Sequence, residues 1–510
     1  MIFDYFYNLV WKSPSVDYNG SMPIGNGETG LNIWVERSGD IIFYISRTDS
    51  WDENNRLLKI GGCRIKYFPE INLEKGEYTQ TLNLEKGCIE IVFQIMDYKY
   101  QVDVWVDAHH QCINFDFNCS IPTKATILLE NWRVKKRQLD KDEYFFLNDE
   151  RGEYYSWSDD IVENEEGICW YHHNRTSRWH NTLKLQYLEE LIDRMPDPLL
   201  HRTFGGKIMG EEFIKINSST LELKSKKKSF DLQVSTLTIP NCDNPEKWIN
   251  KINELAEFHR NLNKENARKE HESWWQDFWQ RSWIIIDGFD EAFELTQNYM
   301  LQRWVQACGG RGNYAIKFNG SIFTVNTDKY DPDYRRWGGW YWFQNTRFPY
   351  WPMLASGDWD LMEPFWNLYL GTRELAVFRN KKYYNHDGWF FPETMSFWGT
   401  YVNQNFGLNQ AGKKPGDPIE NQYIRWHFNA TLELLTMMLD YYLYSDDATF
   451  LEEKLLPTAD DFMNWWEQHW KLDSNGKLLM EPSQSLETYW GIKNPTPDIA
   501  GLQWCLNELL

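Results

Sequence analysis

Residues 89–107 read IEIVFQIMDYKYQVDVWVD, and apolar side chains occupy alternate positions through most of this stretch. Polar residues such as Glu90, Gln101 and Asp103 fill the positions between them. A period of two is the spacing of a strand with one buried face. The same alternation recurs from about residue 8 to 240, punctuated by Gly and Asn. It predicts a large antiparallel β-sandwich, which we place at residues 1–243.

The pattern changes at about residue 244 and becomes polar and helix-favouring up to residue 287. Trp248, Ile249 and Ile252 follow one another at helical spacing. Gly and Pro are nearly absent, whereas a flexible tether would be richer in them. Residues 244–287 are therefore predicted to form a helical linker that packs on its neighbours.

Helices dominate the predicted second domain, residues 288–510. Four long segments carry apolar residues at helical spacing, at 289–308, 349–377, 423–445 and 448–470. Helical hairpins joined by long Gly- and Trp-rich loops predict an (α/α)6 toroid, in which the loops at one rim build the active site. A closed toroid needs about twelve helices and this region supplies about seven, so we expect the chain to be a fragment that lacks the end of this domain.

The net charge limits the classes of partner. The chain has 53 basic and 74 acidic residues, giving a formal charge of −21. Duplex nucleic acid requires a cationic footprint and is not an expected partner.

No apolar run is long enough to cross a membrane and the N-terminus does not resemble a signal peptide, so we expect no membrane association. The oligomeric state is not indicated.

Aromatic residues are unusually frequent. The chain contains 28 Trp, 28 Tyr and 29 Phe, which together make up 17% of its residues. Carbohydrate fits this composition because apolar sugar faces stack on aromatic rings while hydroxyl groups pair with their polar edges. Filling of a large core by aromatic side chains is the alternative, and composition alone does not separate the two.

Two glutamates lie in loop sequences suited to acid/base chemistry on a sugar. Such chemistry uses two carboxyl groups on opposite faces of the ring, one protonated and one ionised. Glu393 is flanked by bulky apolar residues that could raise its pKa, and Glu487 lies in a stretch too rich in Pro and Ser for regular helix. A structural carboxylate paired with Arg or a backbone donor is the alternative for each.

Other candidates for the site come from the surrounding aromatic loops. Asn345 could orient a water or bind a sugar hydroxyl, or else cap a helix. Arg335, Arg336 and Arg347 could clamp a substrate, although such arginines more often pair with Asp or stack on Trp. The residues expected to contact substrate are Trp340, Trp342, Arg347, Trp351, His386, Trp389 and Trp398.

No cofactor or metal is predicted. Asp328, Asp331 and Asp333 lack the Gly and the terminal Glu of an EF-hand loop. The eleven histidines form no HExxH motif, and the eight cysteines form no CxxC pair. The stretch from Gly25 to Gly27 does not open a helix after a strand, so we interpret it as a tight turn and not as a phosphate loop.

Several phrases resemble family 95 glycoside hydrolases, the α-L-fucosidase and α-L-galactosidase group. MPIGNGETG near the start resembles the PIGNG turn of these enzymes, and HESWWQDFWQRSW resembles their helical linker. QNTRFPYWPM resembles the segment before their Tyr-Trp-Pro, and MEPSQSLETYWGIKNPTPDIAG resembles their Pro-Ser, Ser-x-Glu and Pro-Thr-x-Asp stretch. The order of the phrases matches along the whole chain.

The resemblance implies a β-sandwich, a helical linker and an (α/α)6 catalytic barrel that hydrolyses with inversion. It places Glu487 at the general acid and Asn345 at the second of two asparagines that support the base, while Phe343 stands where the first would be. Asp498 is implied to be at most a structural or binding residue. The base aspartate of the family lies in a later segment that would follow Leu510. The departures argue against fucose specificity and for a relative in the wider six-hairpin glycosidase group.

The sequence therefore predicts an inverting glycoside hydrolase that removes a terminal sugar from a polysaccharide or glycan. Glu487 is the first candidate for the acid and Glu393 the second; without its base, this chain could be inactive. A glycoside phosphorylase of similar build and a noncatalytic carbohydrate-binding protein are the alternatives. Polysaccharide degradation suggests the periplasm or cell exterior, and a cytoplasmic location stays open.

Overall fold

A computed structural model describes residues 7–68, 71–73, 76–144, 153–163 and 166–510. Within these ranges a half built of antiparallel strands precedes a half built mainly of helices, which confirms the predicted order of fold classes. No helix in the described part of the chain combines the length and apolarity needed to cross a membrane.

The N-terminal half consists of antiparallel strands with two short helices. The helices are α1 (Lys141–Tyr144) and α2 (Trp179–Leu185). The strands are β1 (Leu9–Trp11), β2 (Met22–Gly25), β3 (Thr29–Val35), β4 (Ile41–Trp51), β5 (Leu57–Phe68), β6 (Glu77–Asn83), β7 (Cys88–Ile95), β8 (Tyr98–Val106), β9 (Cys112–Glu130), β10 (Arg137–Gln138), β11 (Tyr155–Ser156), β12 (Asp160–Val162), β13 (Ile168–His173), β14 (Thr203–Met209), β15 (Phe213–Asn217), β16 (Thr220–Leu223) and β17 (Lys227–Ile239).

The strand β9 joins two sheets. Its first part pairs with β8 and β17 in a sheet ordered β1-β6-β7-β8-β9-β17-β14-β13-β12. Its second part pairs with β5 and β16 in a sheet that continues through β4, β3 and β2 on one side and β15 on the other. The sheets face each other, since the rings of Phe43 and Phe115 lie 4.8 Å apart and those of Tyr67 and Phe93 5.9 Å apart. Alternate side chains of β7 and β8 fill the space between them.

Two helices follow the sheets, α3 (Pro245–Asn261) and α4 (Lys264–Gln280). Asn244 caps the first of them by accepting a hydrogen bond from the Glu246 amide at 3.0 Å. Trp248 and Ile252 are buried against Tyr171 of β13. The segment therefore packs on the sheets through an apolar stripe.

The C-terminal half contains α5 (Ala292–Gly309), α6 (Phe343–Thr346), α7 (Trp351–Ser356), α8 (Glu363–Leu370), α9 (Arg373–Tyr384), α10 (Asn403–Phe406), α11 (Ala430–Ser445), α12 (Ala448–Phe450), α13 (Leu456–His469) and α14 (Thr496–Leu509). Short antiparallel strand pairs lie in its loops: β18 (Tyr341–Trp342) with β19 (Thr394–Met395), β20 (Lys471–Leu472) with β21 (Leu478–Leu479), and β22 (Ser483–Ser485) with β23 (Tyr489–Ile492). Helix α11 lies at the centre and packs on α7, α13 and α14.

Two predicted helices differ in extent from the structure. The segment 349–377 is broken where Gly357 adopts a left-handed φ of 72° and ends α7. The segment 423–445 becomes helical only at Ala430, because the Trp426 amide donates instead to the side chain of Gln484 at 2.9 Å. Periodicity alone does not reveal either interruption.

A buried ion-pair network joins the two halves. Arg133, 3% exposed at its side chain, donates from two nitrogens to Asp159 at 2.8 and 2.7 Å and from a third to Asp333 at 2.7 Å. Asp159 lies in the N-terminal half and Asp333 in the loop before β18. His172 donates from Nδ1 to Asp159 at 2.9 Å and from Nε2 to Glu53 at 3.1 Å, and these two carboxylates raise the pKa of the buried histidine to about 9. The interface is thus fixed by charged groups removed from water.

The backbone at Gly339 touches the N-terminal half directly. A Cβ atom at this position would lie 1.8 Å from the carbonyl oxygen of Asn55. We expect Gly339→Ala to lower the free energy of unfolding by about 1–3 kcal/mol, because neither backbone can retreat without disturbing the interface. Denaturant unfolding measures this change, and an unaltered midpoint would contradict the close contact.

Candidate active site

Glu393 lies in a closed environment directly before β19. Its side chain is 2% exposed, accepts a hydrogen bond from the amide of Gln344 at 3.3 Å and accepts a second from the hydroxyl of Thr394. Its own carbonyl accepts from the amide of Phe343 at 2.7 Å. The strand pair β18–β19 therefore fixes both the backbone and the carboxyl group of Glu393.

Burial raises the pKa of Glu393 to about 7, against an ordinary value of 4.5. The hydrogen bonds from Thr394 and Gln344 oppose this rise, and the nearby charge of Glu487 adds to it. The two predicted glutamates are thus brought within electrostatic range of each other. Near neutral pH a large fraction of Glu393 keeps its proton.

This raised pKa predicts a pH dependence of stability. The folded state holds the Glu393 proton more tightly than the unfolded state, so the free energy of unfolding falls as pH rises from about 4.5 to about 7. The loss from this group is on the order of 3 kcal/mol. Glu393→Gln carries no titrating proton, and we expect its unfolding free energy to fall less across the same range. Equal slopes in wild type and variant would contradict the burial of a titrating carboxyl here.

Arg347 and Glu433 form an ion pair beside this carboxyl. The Nε of Arg347 lies 2.5 Å from Oε1 of Glu433, and the indole of Trp351 donates to the same oxygen at 3.2 Å. Arg347 also donates to the backbone oxygen of Gln344. The side-chain amide of Gln344 lies 3.5 Å from Nδ1 of His427, whose pKa burial lowers to about 4. A neutral imidazole, an amide and an ion pair therefore surround the protonated carboxyl.

Glu487 is exposed at the turn of the β22–β23 hairpin. Its backbone oxygen accepts from the Trp490 indole at 2.7 Å, and the side-chain amide of Gln484 donates to the oxygen of Leu486 at 2.7 Å. These bonds shape the turn and leave the Glu487 carboxylate directed to solvent. Among the described residues, no hydrogen bond or ion pair is formed by that carboxylate.

Asp498 anchors the hairpin to the helices. It is 1% exposed, and it accepts hydrogen bonds from Ser483 at 2.6 Å and from Asn429 at 3.2 Å. Burial raises its pKa to about 6 in spite of these bonds. Asp498 at the start of α14 thereby connects β22 with the start of α11, which is a structural role of the kind the resemblance implies.

The predicted aromatic residues fall into three places. Trp342 pairs with Thr394, the neighbour of Glu393, across the strand pair, and Trp351 contacts Glu433 of the Arg347–Glu433 ion pair. Trp340 and Trp398 are buried, with ring centres 6.5 Å apart, where the N-terminal half meets the helical half. Trp389 is fully buried, packs on Phe462 of α13 at 4.7 Å and donates to Asp461 at 2.8 Å. Its position between helices makes it part of the core.

The remaining predicted residues lie outside this cluster. Asn345 is exposed and lines a cavity of about 670 Å³ together with Phe348 and Pro349. His386 faces His469 at the end of α13, with 3.1 Å between Nε2 and Nδ1. Arg335 is buried and donates to the backbone oxygens of Asn319 and Ser321 at 2.5 and 2.6 Å, so its guanidinium is used within the loop.

Gln344, His427, Glu433 and Thr394 belong to the site but are absent from the sequence prediction. Gln344 directly precedes the predicted Asn345, and Thr394 directly follows the predicted Glu393. These adjacent positions were the signal in the sequence that could have identified both residues. His427 and Glu433 flank the start of α11, where the sequence pattern suggests continuous helix. Their contacts with Gln344 and Arg347 span more than 80 residues of sequence.

The described residues contain no group of three or more His, Cys, Asp or Glu side chains that could hold a metal ion. The arrangement is instead a pair of carboxyl groups in contrasting environments, one enclosed and one exposed, beside an Arg–Glu ion pair and aromatic rings. A buried carboxyl group with a raised pKa, near a second carboxyl group and aromatic rings, is a set of groups that suits acid/base catalysis.

Comparison with known proteins adds family information. Residues 330–501 match the glycosyl hydrolase family 95 catalytic domain. A solved structure described as "Putative kojibiose phosphorylase from human microbiome" is similar with a TM-score of 0.59 and 12% identity, covering 99% of this chain and 66% of that chain. The chain thus spans slightly less than two thirds of that protein. A bacterial glucoamylase solved with acarbose has a TM-score of 0.38 and 8% identity, covering 90% of this chain and 70% of that one. No curated protein matches.

The kojibiose phosphorylase likeness concerns the fold alone. With the family 95 match it supports placing the chain in the six-hairpin glycosidase superfamily. A second family match spans residues 10–284, which is more than half of the chain. The chain therefore belongs to the family described as "Domain of unknown function (DUF5703)".

Proposed function

We propose that this protein is an inverting glycoside hydrolase that removes a terminal sugar from a polysaccharide or glycan. The observation that carries the proposal is the buried Glu393 carboxyl with its raised pKa, within electrostatic range of Glu487, in the segment that matches the family 95 catalytic domain. The six-hairpin placement and the aromatic residues beside the pair support the same class of substrate. The helices after residue 288 would then belong to an (α/α)6 toroid, preceded by the sandwich of 1–243 and the linker of 244–287.

Glu487 is the proton donor in this proposal. The resemblance implies this role, and the Glu487 carboxyl is exposed on a hairpin turn, where a glycosidic oxygen can reach it. Glu393 keeps its proton to higher pH, but both of its oxygens are enclosed and hydrogen-bonded. The proton passes to the leaving oxygen as the bond to the anomeric carbon breaks, and a base on the opposite face of the ring activates the attacking water. Glu393 is the second candidate for the donor.

The supporting residues follow from the same geometry. Arg347, Trp342 and Trp351 lie beside the carboxyl pair and would contact the sugar directly. The resemblance implies that Asn345 orients the attacking water; since Asn345 lines the cavity of about 670 Å³ outside the cluster around Glu393, that water would come from this cavity. A bound sugar ring would cover Glu487 and exclude water from it, which strengthens proton transfer to the leaving group.

A glycoside phosphorylase is the second candidate. The whole-chain likeness to a protein described as a kojibiose phosphorylase favours it, although that likeness concerns the fold. A phosphorylase needs cations free to bind phosphate, and the guanidinium of Arg335 is already occupied by backbone oxygens.

Degradation of a polysaccharide by the hydrolase would suit the periplasm or the cell exterior.

Turnover with and without phosphate tests the choice. The full-length protein is incubated with aryl α- and β-glycosides in phosphate-free buffer and again with added inorganic phosphate. A hydrolase releases free sugar at the same rate in both buffers. Release of a sugar phosphate, with turnover that depends on phosphate, would overturn the proposal in favour of the phosphorylase.

A further inference from the structure

A second cavity, of about 420 Å³, lies among the loops at the ends of α9 and α13. Its walls include Tyr384 from α9, Trp426 and Phe428 from the loop before α11, and His469 and Trp470 from the end of α13. The volume falls in the range of small-ligand sites, and the lining is rich in flat rings. None of the predicted catalytic or substrate-binding residues lines it.

A layer of aromatic rings separates this cavity from Glu393. Phe428 packs on Phe390 with ring centres 5.1 Å apart, and both pack on Trp465 at 4.8 and 5.5 Å. Phe390 precedes Glu393 by three residues. The cavity is therefore separated from Glu393, and Glu487 does not line it, although the loop that carries Glu487 contributes Glu481 and Pro482 to its wall.

His469 presents a hydrogen-bond acceptor at the cavity. Nδ1 of His386 lies 2.8 Å from the backbone oxygen of Asp387, so it donates there, and Nε2 of His386 is left to accept from Nδ1 of His469 at 3.1 Å. Nε2 of His469 is then the unprotonated nitrogen. Burial lowers the pKa of His469 to about 3, so the ring is neutral. Within the described part of the chain, no donor reaches that Nε2.

Trp470 contributes a hydrogen-bond donor at the same place. The residue is 8% exposed, and its indole N–H has no acceptor among the described residues. Seven other buried indole N–H groups in the described residues also lack an acceptor, so the unpaired state alone does not mark a site. At Trp470 the residue lines the cavity, and its N–H is available to a ligand there.

Arg425, also on the wall, donates to the backbone oxygens of Ile419 and Glu420 at 2.6 and 2.7 Å. Its guanidinium is therefore engaged within the loop and lies 5.3 Å from the centre of the Trp426 ring, leaving the other face of that ring for a ligand. Asp417, Lys471 and Glu481 also line the cavity, so its wall carries charges of both signs and does not select a charged ligand of one sign.

We propose that this cavity binds a pyranose ring at a site separate from the Glu393–Glu487 pair. Aromatic faces such as Trp426 offer stacking surfaces for the apolar face of the ring, and His469 and Trp470 offer an acceptor and a donor to its hydroxyl groups. The site would hold a sugar unit of a longer chain or a free sugar, and it does not require that the protein hydrolyse anything.

Titration with methyl glycosides tests the proposal. Methyl α- and β-glycosides of glucose, galactose, mannose, xylose and L-fucose are titrated into the Glu487→Gln protein, which leaves them uncleaved, and binding is followed by calorimetry and saturation-transfer NMR. We expect at least one glycoside to bind. Trp426→Ala should raise its Kd by about tenfold, and His469→Phe by about two- to tenfold, which is the effect of one lost hydrogen bond.

Trp504→Ala is the matched control for the tryptophan, since Trp504 is 45% exposed on α14 and does not line the cavity. His180→Phe, at an exposed position on α2, is the control for the histidine. Both controls should bind like the parent, and circular dichroism shows whether each variant is folded. The proposal is overturned if no glycoside binds, or if folded Trp426→Ala and His469→Phe variants both bind as tightly as the controls. Unchanged glycoside binding with no hydrolysis in wild type would reject the proposed function and leave this site intact.

Discussion

Replacement of Glu487 by Gln is expected to lower kcat for an alkyl glycoside by about 10²–10⁴-fold, the usual contribution of a general acid. The amide keeps the size of the side chain but carries no transferable proton. The carboxylate of Glu487 makes no hydrogen bond or ion pair among the described residues, so the melting temperature should stay unchanged. Steady-state kinetics with purified wild type and variant measure the effect.

The leaving group provides the decisive control. A dinitrophenyl glycoside departs with little protonation, so Glu487→Gln should lose much less activity on it than on an alkyl glycoside. Glu393→Gln is the matched substitution at the neighbouring carboxyl, and its loss should be similar for both substrates. If only Glu393→Gln shows leaving-group dependence, Glu393 is the proton donor and the assignment to Glu487 is wrong.

Arg133→Met is expected to destabilise the protein by about 3–5 kcal/mol. The substitution removes the cation between Asp159 and Asp333 while both carboxylates stay buried, and uncompensated buried charge has a cost of this size. Arg133 also donates to the oxygen of Ile60 at 3.1 Å, which would lose a partner as well. Chemical unfolding at neutral pH measures the change.

The pH dependence separates charge from packing in this variant. In the wild type Arg133 lowers the pKa of Asp333. The pairing therefore stabilises the fold above the ordinary carboxyl pKa of about 3.8, and this stabilisation is lost as pH falls through the lowered pKa of Asp333. The difference between wild type and Arg133→Met should therefore shrink in acid. Arg175→Met is the control, because its pair with Asp160 is about 40% exposed and should contribute less than about 1 kcal/mol. Equal effects of the two substitutions would contradict the buried network.

The alternation at residues 89–107 predicts β7 and β8 because each strand has one face toward the sheet interior. The path of β9 from one sheet into the other could not be predicted this way, since its partners β5, β8, β16 and β17 are distant in sequence. The late start of α11 has a similar cause. The Trp426 amide is bonded by Gln484, which no local pattern reveals.

Part of the candidate site could be predicted from the types of residue that surround a position in the sequence. Apolar neighbours of Glu393 indicate a desolvated carboxyl, and burial does raise its pKa to about 7. The same reasoning places Trp389 with the substrate, whereas the structure buries it against Phe462 of α13, because an aromatic residue suits a core as well as a sugar. His427 and Glu433 join the site only through tertiary contacts with Gln344 and Arg347.

The anomeric form of the first sugar released tests the central claim most directly. The full-length protein is mixed with a cleavable aryl glycoside, and proton NMR follows the anomeric signals before mutarotation mixes them. An inverting hydrolase releases the anomer opposite to that of the substrate. That result is the one we predict, and initial release of the retained anomer would contradict the proposed mechanism.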